Sequence, residues 1–165
     1  MKRIDMEISG GCQCGAVRFH TTQMLDNSHL CHCRMCQKAV GNIFAALVAA
    51  PDDKLVWTRG APSIWKSSEH VERGFCANCG TPLFYHDANN GRTNLTIGSL
   101  DNPGDFPPGA NTCTENMVPW FGTISTMENS GPTDSNGKAW ADAIKASNNQ
   151  HPDRDTESWQ ARPRQ

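Results

Sequence analysis

The sequence predicts a mainly β domain of antiparallel strands, with irregular coil and a few short helices. Apolar residues alternate with polar ones in short runs, as in strands that bury one face. Turn-forming residues such as Pro51-Asp52-Asp53 and Asn89-Asn90-Gly91 separate these runs. Only two segments carry a helical pattern, and both are short. Together these features favour an antiparallel β fold.

The elements follow one another in a simple order. Residues 4–20 are predicted to be extended, with an interruption at Gly10-Gly11. A helical turn is predicted over residues 34–40, because Gly41 follows it and glycine is common just past a helix end. A second short helix is predicted over residues 138–147. The remaining strand-like runs are 44–50, 54–58, 63–65, 72–75, 82–85 and 94–97.

The character of the chain changes near residue 125. Residues 127–137 are rich in Ser, Asn, Thr and Gly, and residues 148–165 are polar again, so neither segment has much to bury. We therefore expect a folded domain over residues 1–124. Residues 125–165 are expected to form a peripheral tail of the same single-domain protein.

Composition and charge narrow the functional classes. Hydrophobic residues make up 37% of the chain and aromatic residues 7%, so the core is modest. We therefore expect interactions other than the burial of apolar side chains to help stabilise the fold. The net charge of −2 gives no reason to expect nucleic acid. No run approaches the roughly 18 apolar residues of a membrane span, and none follows the basic start as in a signal peptide. We expect a cytoplasmic protein whose eight cysteines are ligands or nucleophiles rather than disulfides.

Four of the cysteines form two pairs at metal-ligand spacing. Cys12 and Cys14 are two residues apart, so in an extended strand both thiols lie on one face. Cys76 and Cys79 form a C-x2-C turn, and Gly80 supplies the positive φ that such a turn favours. Four thiolates complete a tetrahedral zinc site, and closed sites of this kind are structural. This ion is expected to clamp the early and middle parts of the domain together.

Three further cysteines, Cys31, Cys33 and Cys36, lie within six residues. Three protein ligands and one open position are typical of a catalytic zinc, whose open position accepts water or a substrate thiolate. Three thiolates leave a divalent ion a poor Lewis acid. Delivery of a thiolate is therefore favoured over polarisation of a carbonyl group.

Other interpretations of this group stay open. Cys113 is able to supply a fourth sulfur and make the site structural. His29 or His32 is able to do so through an imidazole, although His32 lies between two ligands and is expected to point away. The three thiols also suit thiol–disulfide chemistry without a metal.

Four segments then share a specific motif order, over roughly residues 9–121. They are GCQCGAVRF at 11–19, CHCRMCQK at 31–38, FCANCGTPL at 75–83 and GSLDNP at 98–103. In this order the sequence resembles the glutathione-dependent formaldehyde-activating enzyme family. That family includes centromere protein V-like proteins and has the Mss4-like fold, so the resemblance implies a zinc-stabilised antiparallel β-sheet domain.

The resemblance also implies roles for the cysteines. In that family a structural zinc is held by the equivalents of Cys12, Cys14, Cys76 and Cys79. A second zinc, tied to activity, is held by the equivalents of Cys31, Cys33 and Cys36. The namesake reaction joins glutathione and formaldehyde into S-hydroxymethylglutathione, so the implied class is carbon–sulfur lyase. Two zinc ions per chain and glutathione as co-substrate follow from it.

Substrate contacts carry a weaker signal. Lys38 is a candidate to attract a carboxylate of glutathione, as is Arg34, although both are also ordinary surface charges. Many members of the family carry a His near Asn111 and a Lys near Met117, and this chain has neither. This departure weakens the carry-over of substrate contacts from that segment, and with it the identity of the substrate.

Two other functions remain open at this point. The Mss4-like scaffold also serves in proteins that bind partner proteins and use zinc only for stability. A carrier of the thiol adduct is a further alternative, because aldehydes add to thiols readily without a catalyst. The expected partners are a small-molecule thiol and an aldehyde, with neither nucleic acid nor membrane, and a homodimer is compatible with the sequence.

Overall fold

The computed structural model describes residues 1–161 and confirms the mainly β prediction. Three antiparallel strands form the first sheet. They are β1 (Arg3–Gly11), β2 (Arg18–Leu25) and β5 (Leu55–Arg59). β2 lies in the middle and pairs with both neighbours.

Seven strands form the second sheet. They are β3 (His29–Cys31), β4 (Ala45–Pro51), β6 (Ser63–Lys66), β7 (Val71–Phe75), β8 (Pro82–Asp87), β9 (Arg92–Thr96) and β10 (Ala110–Thr112). Their order across the sheet is β10-β3-β4-β9-β8-β7-β6. All neighbours are antiparallel except β10, which runs parallel to β3 and pairs Thr112 with Cys31. This pairing brings the segment after β10 close to the second group of cysteines.

The main core lies between the two sheets. Phe19 of β2 and Leu95 of β9 are completely buried within it. The ring of Phe19 packs edge-on against Trp57, with 5.7 Å between centroids. Gly10 is required at the edge of this core, because a Cβ there would lie 2.4 Å from the carbonyl oxygen of Ser99.

Two α-helices lie where the sequence predicts them. α1 spans Arg34–Val40 and ends at Gly41, which has a φ of 64° and donates its N–H to the carbonyl of Gln37. α2 spans Lys138–Ser147 and buries only Ala141. α1 therefore belongs to the body of the fold, while α2 lies on its surface.

Between β10 and α2 the chain forms short 3-10 turns at Thr114–Asn116, Phe121–Thr126 and Thr133–Asn136. The domain boundary at residue 124 stays a prediction, and residues 162–165 of the predicted tail lie outside the described residues. Among residues 1–161, no helix has the length and apolar character that crossing a membrane requires.

Candidate metal centres

The first two cysteine pairs meet in one cluster, although they are far apart in sequence. The thiols of Cys12, Cys14, Cys76 and Cys79 all lie within 4.8 Å of one another. We call them the four-cysteine cluster. The sulfurs of Cys12 and Cys14 are 3.7 Å apart, and those of Cys14 and Cys76 are 3.8 Å apart. Four sulfurs around zinc at about 2.3 Å have separations of about 3.8 Å, so the donor set fits a tetrahedral zinc ion.

Both pairs sit in tight turns of the same type. The N–H of Cys12 bonds to the carbonyl of Val17 at 2.9 Å, and that of Cys76 bonds to Thr81 at 2.9 Å. The expectation that Cys12 and Cys14 share the face of an extended strand is wrong, because β1 ends at Gly11 and the pair lies in the turn that follows. Gly80 has the predicted positive φ, at 78°.

Burial and hydrogen bonds shift the pKa values of Cys12 and Cys79 in opposite directions. Burial raises the pKa of Cys12 well above its usual range, although the N–H of Val17 donates to its sulfur at 3.3 Å. Burial also raises the pKa of Cys79. The Thr81 hydroxyl, 3.1 Å away, and backbone N–H groups outweigh this effect and lower that pKa to about 6. Buried thiolates at such close range need a cation to balance their charge, which a zinc ion provides.

Part of the segment that was predicted to be a peripheral tail covers this cluster. We call residues 151–161 the C-terminal strap. The indole N–H of Trp159 donates to the carbonyl of Cys14 at 2.7 Å, and the N–H of His151 donates to the carbonyl of Gln13 at 2.7 Å. Gly15 permits this approach, since a Cβ there would lie 2.3 Å from the His151 ring.

Ion pairs and hydrogen bonds hold the C-terminal strap along its length. Arg18 is buried and pairs with Asp101 at 2.6 Å and with Asp155 of the strap at 2.7 Å. Arg59 donates to the carbonyl of Thr156 at 2.6 Å. A polar stretch with a single Trp has no periodicity that predicts these contacts, so sequence reasoning missed them.

The three remaining predicted ligands also meet. The thiols of Cys31, Cys33 and Cys36 lie within 4.8 Å of one another, and we call them the three-cysteine cluster. Cys31 ends β3, Cys33 caps α1, and Cys36 lies in the first turn of that helix. The N–H of Cys36 donates to the sulfur of Cys33 at 3.3 Å. A short strand followed directly by a capped helix therefore gathers all three sulfurs from one segment.

Neither histidine joins this cluster among the described residues. His32 is completely buried, its Nε2 lies 3.0 Å from the side-chain oxygen of Asn111, and its ring packs on Phe121 at 4.7 Å. Nδ1 of His29 instead bonds to the carbonyl of Asn27 at 2.6 Å. His32 thus points away from the thiols, as its place between two ligands predicts.

Cys113 stands next to the three-cysteine cluster without being part of it. It is exposed, and its φ of 52° is the positive value of a left-handed conformation. Burial, together with the neighbouring thiol of Cys31, raises the pKa of Cys113. Its sulfur lies outside the set whose members are all within 4.8 Å of one another.

A buried cation faces the three-cysteine cluster. Nη2 of Arg73, on β7, lies 3.6 Å from the sulfur of Cys36, and its guanidinium lies 5.4 Å from the Tyr85 ring centroid. Arg73 is only 8% exposed, and no carboxylate of residues 1–161 is within ion-pair distance of it. A buried charge without a counter-charge is destabilising. An anionic centre of three thiolates would supply that counter-charge, so the donor set fits zinc here as well.

The thiols of this cluster also differ in acidity. Burial raises the pKa of Cys36 to about 12, against the opposing effect of Arg73. Burial acts in the same direction on Cys31, but hydrogen bonds from the N–H of Cys33 and from the thiols of Cys36, Cys33 and the neighbouring Cys113 outweigh it and lower the pKa of Cys31.

The predicted glutathione contact, Lys38, lines a cavity beside this cluster. The cavity has a volume of about 450 Å³. Lys38 shares its wall with two other cations, Arg34 and Arg73, and with the indole of Trp65. We call it the cationic cavity. Lys38 is exposed, so its charge is available to an anionic ligand that enters.

Comparisons with known proteins agree with this architecture. A crystal structure of a Rhodobacter sphaeroides protein is 23% identical in sequence, with a TM-score of 0.53. The match covers 63% of this chain and 99% of that one, and it supports the fold alone. The family model described as glutathione-dependent formaldehyde-activating enzyme matches residues 7–116, which is more than half of the chain and includes all seven clustered cysteines. The chain therefore belongs to the glutathione-dependent formaldehyde-activating enzyme family.

Proposed function

We propose that the protein is a carbon–sulfur lyase that joins a thiol, glutathione, to an aldehyde. The observation that carries this proposal is the unequal number of donors in the two clusters. The four-cysteine cluster completes a tetrahedral zinc site, whereas the three-cysteine cluster supplies one donor fewer and lies beside a cavity with three cations. Membership of the family supports the same reaction.

The proposed reaction is a simple addition. One C–S bond forms, the π bond of the carbonyl group breaks, and the thiol proton ends on the oxygen. When bound by Cys31, Cys33 and Cys36, zinc supplies a position that keeps a substrate thiol in its nucleophilic thiolate form near neutral pH.

The chain's own residues bind and orient the thiol in this proposal. Glutathione carries two carboxylates, and Lys38 and Arg34 at the cationic cavity attract them. Arg73 stabilises negative charge on the three-cysteine cluster, because its guanidinium is buried against Cys36. The cations thus favour an anionic thiol over a neutral one of the same size.

Zinc content, measured with and without glutathione, tests the proposal. We expect two ions per chain. In the cobalt-substituted protein, glutathione is expected to change the absorption spectrum of one ion only. Cys36→Ser should keep one ion and lose this response. Cys113→Ser is the matched control and should keep both ions and the response, because Cys113 lies outside the cluster.

The same measurement separates the enzyme from its main alternative. Two tightly held ions that both ignore glutathione would indicate two structural sites, and the protein would then be a zinc-stabilised binding module. Loss of the glutathione response in Cys113→Ser would assign the fourth position to Cys113 and contradict the proposed open site.

A further inference from the structure

A second cavity is lined by residues of α1, β4 and the strands β6 to β9. Its volume is about 400 Å³, within the range of about 300–1,000 Å³ typical of small-molecule sites. Its aromatic walls are Trp65, Phe75, Phe84 and Tyr85. Aliphatic residues fill most of the rest, so we call it the apolar cavity. The set of walls suits a flat, apolar group that stacks on aromatic rings.

The apolar cavity shares its wall with the metal ligands. Val40, Ala45 and Leu47 line it, and the same three residues belong to the packed group that contains Cys31 and Cys36. Ala45 is also the strand partner of Cys31 in the β3–β4 pair. A molecule in this cavity therefore contacts side chains that pack around the three-cysteine cluster.

One charged residue lines this cavity, and it lines the cationic cavity too. Arg73 belongs to both walls, as does Trp65. Nε of Arg73 is buried and has no hydrogen-bond acceptor among residues 1–161. Buried donors are normally paired, so a guanidinium that lines both cavities and has an unpaired N–H suits an oxygen-bearing ligand.

These features fit neither formaldehyde nor glutathione. Formaldehyde has only two heavy atoms and leaves a cavity of about 400 Å³ almost empty. Glutathione brings two carboxylates and an ammonium group, which apolar walls cannot solvate. The fitting ligand has an apolar, aromatic body and a single polar end that bears oxygen.

We propose that the apolar cavity binds the ring of an aryl aldehyde, with the carbonyl oxygen directed to Arg73. This inference rests on the proposed function and specifies its second substrate. The S–H bond of the thiol and the π bond of the carbonyl group break, and a C–S bond and an O–H bond form. No oxidant or reductant is needed. The ring then lies in the apolar cavity and the thiol in the cationic cavity, and Arg73, which contacts Cys36, lines both.

Binding is tested on the full-length, zinc-loaded protein with an unreactive analogue. Calorimetric titration with benzamide should give saturable binding, and acetamide should bind at least about tenfold more weakly, because it lacks the ring. Trp65→Ala should raise the Kd for benzamide roughly fivefold. Trp140→Ala is the matched control: Trp140 is similarly exposed, at 54% against 59%, but lies on α2 and away from the cavity.

A second variant keeps the test specific for this cavity. Ile64 is on the same strand as Trp65 and is 49% exposed, and it lines the apolar cavity but not the cationic one. Ile64→Ala should raise the Kd for benzamide about twofold and leave glutathione affinity unchanged. In kinetic assays both variants should raise KM for benzaldehyde, and Ile64→Ala, which is absent from the cationic cavity, should leave KM for formaldehyde within error.

Different outcomes overturn different claims. If benzamide does not bind while glutathione still adds to formaldehyde, the aryl aldehyde inference fails and the proposed function stands. If benzamide binds but neither aldehyde reacts, the proposed function fails, and with it the aldehyde as ligand. If benzamide does not bind and Trp65→Ala dissociates a dimer in sedimentation, the apolar walls are an interface between copies of this chain.

Discussion

The two cysteine clusters are equally buried and yet differ in almost everything around them. Cys76 is 1% exposed and Cys36 is 4% exposed, so burial does not distinguish the two clusters. The four-cysteine cluster joins two turns that are distant in sequence and lies under the C-terminal strap. The three-cysteine cluster comes from one segment and lies against a buried cation, Arg73, that lines two cavities.

This comparison teaches where to look for reactivity in a zinc protein. The informative quantities are the number of donors, the source of those donors along the chain and the cavities that border them. A centre that joins distant segments removes conformational freedom from the unfolded chain, so its loss affects the whole fold. A centre from one short segment contributes little of this kind and is free to serve chemistry.

The largest expected effect breaks the four-cysteine cluster. Cys76→Ser should lose one zinc ion and destabilise the protein by at least about 4 kcal/mol, because a structural metal is lost. Cys36→Ser should lose one zinc ion and cost less than half as much, since its cluster joins no distant segments. Thermal unfolding with zinc content measures both effects. If the two variants unfold equally, the division into structural and catalytic centres fails.

Removal of a contact made by the C-terminal strap should have a smaller effect on stability. Trp159→Ala deletes the bond to the Cys14 carbonyl and should destabilise the protein by about 1–3 kcal/mol. It should also speed the loss of one zinc ion to a chelator, because water then reaches the four-cysteine cluster. Trp140→Ala on α2 is the control and should match the wild type. A chelation rate unchanged by Trp159→Ala would show that the C-terminal strap does not protect the metal.

Acid should weaken the packing of the C-terminal strap on the four-cysteine cluster, because His151 of the strap becomes protonated. Burial, together with Arg18 and Arg59, lowers the pKa of His151, and Asp101 opposes this effect. The folded state thus binds fewer protons, so this stability is fully present above about pH 6.5, the unfolded value. It is lost as the pH falls from there through the lower folded pKa.

Variants of two histidines test this pH dependence. His151→Gln should flatten the decline of unfolding free energy between about pH 7 and pH 5, a window that follows from the unfolded histidine value. His70→Gln, at an exposed position, should keep the wild-type decline. A His151→Gln profile identical to the wild type would exclude this residue as the titrating group.

The smallest expected effect concerns the cationic cavity beside the three-cysteine cluster. Lys38→Ala should raise KM for glutathione about threefold with kcat unchanged, as expected for a solvent-exposed charge that attracts a carboxylate. Lys145→Ala on α2 should leave both constants unchanged. Equal effects of the two substitutions would mean that the cationic cavity does not bind glutathione.

Local patterns predicted much of the fold. Both helices lie at their predicted residues, because Gly41 ends α1 and the apolar and polar pattern of residues 138–147 suits a surface helix. The predicted strands differ from β4 to β9 by a few residues at most. The grouping of the seven cysteines also followed from spacing, since ligand pairs two or three residues apart need little tertiary information.

The parts that sequence did not predict depend on long-range contacts. Nothing local to Arg73 shows that β7 brings it to Cys36, 37 residues away. Likewise, the C-terminal strap is polar and short, and only the folded surface around Gly15 gives Trp159 a partner. Two-residue spacing suits a strand and a turn equally, so the spacing alone does not show that Cys12 and Cys14 lie in a turn.

The C-terminal strap has a consequence for the order of events on the ribosome. Trp159 contacts a residue that is made 145 positions earlier. At synthesis rates of about 5–20 residues per second, roughly 7–30 s pass between the two. Cys76 and Cys79 emerge within that interval, so all four thiols are available to a zinc ion before their cover exists. Metal loading can therefore precede completion of the chain, and the strap then closes over a site that is already able to hold its ion.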